Sequence, residues 1–119
     1  MGIEYLDVRP GYCRLGLQLK PHMVNAAGYP HGGVIFSLAD TAFGTACNSH
    51  GVFDSVGLNV TISYLNAVPP NVRLFAEARE RKRGRRAGFY EVTVSADDGT
   101  LVAIVQCISH RLAGQNAEA

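Results

Sequence analysis

Apolar and polar residues alternate in five stretches of the chain, the two-residue period of a strand with one buried face. In residues 12–20, Cys13, Leu15, Leu17 and Leu19 fall on one side and Arg14, Gln18 and Lys20 on the other. Residues 55–65 place Val56, Leu58, Val60, Ile62 and Tyr64 together. Residues 72–82 begin apolar on one face and end highly charged, as a strand running out into solvent does. Residues 88–96 and 101–112 follow, joined by the turn sequence Asp97-Asp98-Gly99. Val-Pro-Pro-Asn at 68–71 separates the second and third stretches, and the glycine- and arginine-rich run 83–88 separates the third and fourth. One segment has a different period. From Gly33 to Asn48, Ile35, Leu38, Ala39, Ala42, Phe43 and Ala46 recur at helical spacing. With Phe36 and Cys47 they cover about half of the helix circumference at ~100° per residue. Ser37, Asp40, Thr41, Gly44 and Asn48 fill the opposite sector, and Gly51 is the expected terminator.

The order is strand, helix, then four strands. Four consecutive strands with short joints favour antiparallel pairing, because parallel pairs need long crossovers. A single helix with so wide an apolar arc suits the concave face of a sheet that curls around it. That is an α+β class chain of hotdog architecture: a curved antiparallel sheet wrapped around one central helix. The free edge and half-covered sheet predict a homodimer, with two sheets joined edge to edge.

Composition narrows the picture. The length of 119 residues fits one domain, 1–119. The apolar fraction of 47% is enough for a core, and a formal net charge of +1 points neither to nucleic acid nor to an acidic membrane surface. No run is apolar and long enough to span a bilayer, and the start of the chain reads neither as a signal peptide nor as a myristoylation site. Cys13, Cys47 and Cys107 are odd in number and far apart, which predicts reduced, buried thiols and a cytoplasmic location rather than a disulfide scaffold or zinc site. The tail 113–119 is expected to fray.

The candidate chemistry gathers at the helix. Its first N–H groups lack partners and favour negative charge. Gly32 and Gly33 stand there without side chains, next to His31, so a substrate oxygen can approach the backbone. A carbonyl that gains charge on attack is stabilised by such fixed donors, each worth about 3–4 kcal/mol. Asp40 is the only acid between Asp7 and Asp54 and lies between Phe36 and Phe43. A carboxylate in apolar surroundings is costly unless paired, so it is expected to have a raised pKa or a partner, and it suits a general base or a nucleophile. However, the helix rises ~10–12 Å from Gly33 or Gly32 to Asp40, whereas reacting groups lie ~3 Å apart. One reacting carbon cannot touch both in one chain. Two antiparallel helices across a two-fold axis would bring the helix start of one subunit to Asp40 of the other.

The run N-x5-H-G-G-V-I-F-S-L-A-D-T-A-F-x3-C-N-S-x-G, with the later GLNVTISYLNAV and GRRAGFYEVTV, resembles the hotdog-fold acyl-CoA thioesterases of the phenylacetate-degradation (PaaI-like) group. The resemblance covers nearly the whole chain. It implies that Asp40 activates the hydrolytic water or attacks the thioester, and that the Gly32 N–H polarises the thioester carbonyl. It further implies that Asn25 helps hold the carbonyl or the water, and that His31 shapes the oxygen site. Some relatives carry a hydroxyl near the water where this chain has Gly57; Thr41 and Ser63 are the nearest substitutes.

Six cations lie between Arg79 and Arg86 without interleaved aromatics, so they do not read as a nucleic-acid surface. They fit the phosphates of coenzyme A, with Arg85 and Arg86 the first candidates and Arg83 the next. Gly33, Phe36, Phe43 and Tyr64 are the expected substrate-pocket residues. His22 reads as a surface residue, His50 as a complement to the helix C-terminus and His110 as structural. Neither a metal nor a prosthetic group is expected; coenzyme A enters only as part of the substrate. The expected activity is hydrolysis of small acyl- or aryl-acyl-CoA thioesters, by a homodimer or a dimer of dimers. Two alternatives remain: a non-catalytic acyl-CoA-binding module, and a hydratase or dehydratase. The second pairs its acid with a His five residues on, where this chain has Thr45.

Overall fold

The computed structural model describes residues 1–112; the expected fraying of 113–119 lies outside them. The elements are β1 (Glu4–Arg9), β2 (Tyr12–Gln18), α1 (Gly32–Cys47), β3 (Ser55–Tyr64), β4 (Arg73–Arg83), β5 (Ala87–Ala96) and β6 (Leu101–Arg111), with a 3-10 turn at Pro21–Met23. All six strands form one sheet in the order β1-β2-β4-β5-β6-β3, and every neighbouring pair is antiparallel. The sheet curves around α1. This is the hotdog fold read from the alternation pattern.

The apolar stripe of the helix fills the concave side. Leu38, Ala42 and Phe43 are fully or almost fully buried, as are Leu15, Leu17, Leu74, Val92, Val94 and Val105 of the sheet. Small residues on both sides, Ala39, Ala42 and Ala46 against Ala76, Ala78 and Ala103, let the helix sit close to the strands. On the outer face, Arg9 and Arg79 stack on Tyr12, and Arg14 and Arg73 stack on Phe75. Their guanidinium groups cover aromatic surface, and that of Arg73 also bonds Glu4 on β1.

Three features depart from the sequence reading. First, β1 was not expected. All six of its residues are exposed, so it has no buried face to impose a period, and its pairing with β2 shifts register between Tyr5 and Asp7. Second, β3 carries a bulge between Gly57 and Asn59. Val60 and Ile62 pack on the core, and a Cβ added at Gly57 would lie 3.3 Å from the Phe43 ring. Gly57 therefore faces the helix, and its neighbour Val56 faces outward, not alongside Val60 as the alternation suggested. Third, His50 does not act on the helix end. Its Nε2 lies 2.8 Å from Glu80 Oε1, which also accepts the Tyr90 hydroxyl at 2.8 Å. The Tyr90 ring packs 5.5 Å from that of Phe43, and burial, then Glu80, pushes its hydroxyl pKa up. These partners come from β4 and β5, far away in sequence.

The loop between β4 and β5 is only three residues long. The Gly84 N–H donates to Ala87 O at 2.8 Å, and a Cβ at position 84 would lie 2.6 Å from that same oxygen. Gly84→Ala must displace the turn. It is expected to cost about 1–3 kcal/mol, read as a lower urea midpoint with unchanged slope. A midpoint equal to the parent's would show that the turn relaxes freely.

Candidate active site

The helix opens at His31, whose backbone is extended (φ −60°, ψ 134°) and whose side chain makes no capping bond. The His31 carbonyl accepts from the N–H groups of Val34 (3.0 Å) and Ile35 (3.3 Å), so the helical ladder begins there. The Gly32 and Gly33 N–H groups have no acceptor among the described residues. They are the open donors expected from a helix start. Nothing lies within 4 Å of where a Gly33 side chain would begin.

Tyr64, at the end of β3, donates its hydroxyl to Gly32 O at 2.8 Å. A Cβ at Gly32 would lie 3.2 Å from that hydroxyl, so glycine is what allows the contact. The bond fixes the peptide between Gly32 and Gly33. Because the peptide is trans, its N–H points opposite to the held carbonyl. Tyr64 thus clamps the helix start and orients the Gly33 N–H, in addition to lining the pocket beside it. Beside it is a mostly apolar pocket of about 240 Å³, lined by Tyr29, Pro30, Ile35, Leu65, Val68 and others together with Gly32 and Tyr64. The crossover from β3 to β4 makes one wall of it. Those crossover residues carry no periodicity, which is why the sequence did not mark them.

Asp40 lies eight residues after Gly32 on the same unbroken helix, ~12 Å along its axis. It is exposed, with no hydrogen bond or ion pair to any described residue. The apolar setting expected for it is therefore not provided by its own chain: Phe36 is half-buried, and Phe43 is sealed in the core instead of lining an open pocket. Thr41 donates its hydroxyl to Ser37 O at 2.7 Å, within the helix.

Asn25 holds its own loop together. Its Oδ1 accepts from the N–H groups of Ala27 (3.0 Å) and Tyr29 (3.1 Å), and its N–H donates to Tyr29 O at 2.7 Å. Only the Nδ2 donor remains for a ligand. The exposed His31 ties this loop down by donating its N–H to Met23 O at 2.8 Å.

The structure divides the six cations. Arg79 and Arg81 pair with Glu77 and Glu91, whereas Lys82, Arg83, Arg85 and Arg86 are exposed and have no carboxylate partner among the described residues. They sit at the other end of the sheet from Gly32. Ala87 is opposite His110 on β6, while Tyr64 is opposite Ala103. Seven residues of strand put these ends ~23 Å apart. The three thiols are buried. Burial pushes Cys13 and Cys47 up to about 11 and Cys107 up to about 12, with the Asp40 charge a smaller contributor to the last two. Such thiols are not poised as nucleophiles. The described residues contain no cluster of three or more metal-ligating side chains, and no described helix is long and apolar enough to cross a membrane.

A hotdog sheet around a helix whose glycine start opens beside an apolar pocket is the framework of a thioesterase. The Thioesterase superfamily profile matches residues 27–103, so the chain belongs to that family. It is 33% identical over 114 residues to the acyl-coenzyme A thioesterase PaaI of Escherichia coli K12, covering 96% of this chain and 81% of that protein. Among solved structures it is similar to PaaI of Escherichia coli (TM-score 0.87, 32% identity, 93% and 80% coverage) and to the TT0310 protein of Thermus thermophilus (0.88, 32%, 93% and 92%). It is also similar to smu.793 of Streptococcus mutans, a structure with acetyl CoA bound (0.88, 26%, 93% and 89%). The chain is a thioester hydrolase of the PaaI-like group.

Replacing Tyr64 by Phe removes one donor and little bulk. The expected loss is about 0.5–1.5 kcal/mol of stability, measured by urea unfolding, with the fold retained by circular dichroism. No loss at all would show that the clamp is not formed in solution.

Proposed function

We propose that the protein hydrolyses small acyl- or aryl-acyl-CoA thioesters to the free acid and coenzyme A, at sites shared between two subunits. One observation carries the reading: two glycine N–H groups without acceptors among the described residues open beside an apolar pocket, while Asp40, the one acid of the helix, stands ~12 Å along the same axis.

The chemistry is as follows. The thioester carbonyl oxygen accepts from the Gly32 N–H, supported by Gly33 and the helix dipole. Asp40 of the facing subunit takes a proton from water as the water attacks the carbonyl carbon. The carbon–sulfur bond then breaks, and coenzyme A departs as a thiol after taking up a proton. Asn25 Nδ2 holds the water or the carbonyl, and His31 borders the oxygen site. The apolar pocket beside Gly32 and Tyr64 takes the acyl group; Phe36 and Phe43 lie outside its lining, on the same helix. Its volume suits a short acyl or single-ring group, and the relation to PaaI, whose structure is described as from the phenylacetic acid degradation operon, favours an aryl-acetyl substrate.

Pairing the free edge of β3 with its counterpart in a second copy places the two helices side by side and antiparallel. The end bearing Arg83, Arg85 and Arg86 then lies by the partner's helix start, so each site's CoA phosphates fall to the other subunit's arginines. An open groove of about 480 Å³ on the outer sheet face, bordered by Phe89 and Ile108, supports further association into a dimer of dimers.

The test is thiol release from an acyl-CoA panel. Wild type is expected to turn over short and aryl-acyl substrates. Asp40→Asn and Asp40→Ala are expected to lose about 10²–10⁴-fold in kcat while still binding coenzyme A. A wild type that binds coenzyme A and releases nothing is a binding module, and full turnover by Asp40→Asn removes Asp40 from the mechanism.

A further inference from the structure

Phe53 is 86% exposed, the most exposed large apolar residue of the chain, with Val52 beside it at 47%. It lies two residues before β3, at the end of that strand remote from Gly32. Its own chain gives this ring nothing to pack on, and an exposed aromatic beside a free strand edge marks a contact surface.

The occupant of the surface follows from the site. Gly32 touches Tyr64 at the end of β3, and Asp40 lies one turn before Phe43, which packs against Gly57 nearer the start. For the helix start of one subunit to meet Asp40 of the other, the two-fold axis must cross the middle of β3 or lie slightly beyond it. An axis between Asn59 and Val60 sets Phe53 against Asn66 of the partner subunit. An axis between Thr61 and Ile62 sets it against Pro70 of the partner subunit. In the first register Phe53 arrives where Leu65, Asn66, Ala67 and Val68 form one wall of the apolar pocket, and in the second it arrives two residues past that wall.

We propose that Phe53 of each subunit closes the partner's acyl pocket and limits the size of acyl group it accepts. The inference rests on the reading of the site as one shared by two subunits. It makes Phe53 a specificity-determining residue contributed in trans. An aromatic wall favours a flat acyl group, which stacks against it, over a long flexible chain, which it blocks.

Two measurements test it. In the first, Phe53→Cys is combined in turn with Asn66→Cys, Ala67→Cys and Pro70→Cys. The native thiols are buried and do not compete. Mild oxidation is expected to give a disulfide-linked dimer on a non-reducing gel for at least one pair and for none of the single variants. If no pair cross-links, the placement is wrong. In the second, Phe53→Ala is expected to raise kcat/KM for a long-chain acyl-CoA relative to a short one by about 10-fold or more, with sedimentation unchanged, and Phe53→Trp to lower that ratio. Unchanged discrimination in both variants of an active enzyme overturns the specificity role. A wild type inactive on every acyl-CoA refutes the enzymatic reading instead, and the cross-link still decides whether Phe53 reaches the partner's pocket.

Discussion

A rigid helix holds two reactive features apart. The open amides of Gly32 and Gly33 and the carboxylate of Asp40 belong to one continuous α-helix, Gly32–Cys47. Its rise of ~1.5 Å per residue fixes their separation at ~10–12 Å. No side-chain rotation closes that gap. Three features stand beside it: an exposed acid with no partner among the described residues, a glycine start clamped by Tyr64, and a free edge on β3. The proposed two-subunit site gives each of them a role.

The sheet is arranged to keep that helix fixed. Leucine and valine from β2, β4, β5 and β6 bury its apolar stripe. At its C-terminal end, the Asn48 side chain bonds both the N–H and the carbonyl of Ser55, and His50 joins Glu80 and Tyr90 beneath Phe43. At its N-terminal end, the Tyr64 hydroxyl holds Gly32. Preorganised donors are effective because they need not reorganise as charge develops, and the packing at both ends supplies that rigidity.

How much of this was readable from the residues depended on whether each feature has a local cause. The alternation of Cys13, Leu15, Leu17 and Leu19 marks β2 because one face is buried. β1 has no buried face and left no mark. The helix was placed to within one residue at each end, since its apolar stripe is wide. The pairing of β3 with β6 instead of β4, and the bulge that turns Val56 outward, are set by contacts distant in sequence. In the site, Gly32, Gly33 and Asp40 stood out as residue types unusual for their positions. The hydroxyl bond from Tyr64 to Gly32, the loop-holding bonds of Asn25 and the pocket wall after β3 could not be read, because each joins segments whose spacing carries no signal. Arg83, Arg85 and Arg86 were picked from a run of six cations; the structure pairs Arg79 and Arg81 with carboxylates and leaves Lys82 as exposed as the three arginines.

The central claim, that each site takes amides from one subunit and its acid from the other, is tested by mixing two inactive variants. Gly32→Pro removes the donor at the first helical position, where proline is tolerated, after a His31 whose extended backbone already suits a following proline; its side chain also crowds the Tyr64 hydroxyl, so this variant disables the helix start as a whole. Asp40→Ala removes the acid. Neither variant alone should turn over acyl-CoA. Co-refolded in equal amounts, half of the dimers carry both variants and one of their two sites has intact partners, so activity should return to about a quarter of wild type. If the mixture stays inactive although mass analysis shows mixed dimers, both groups act within one chain, and the shared site is contradicted.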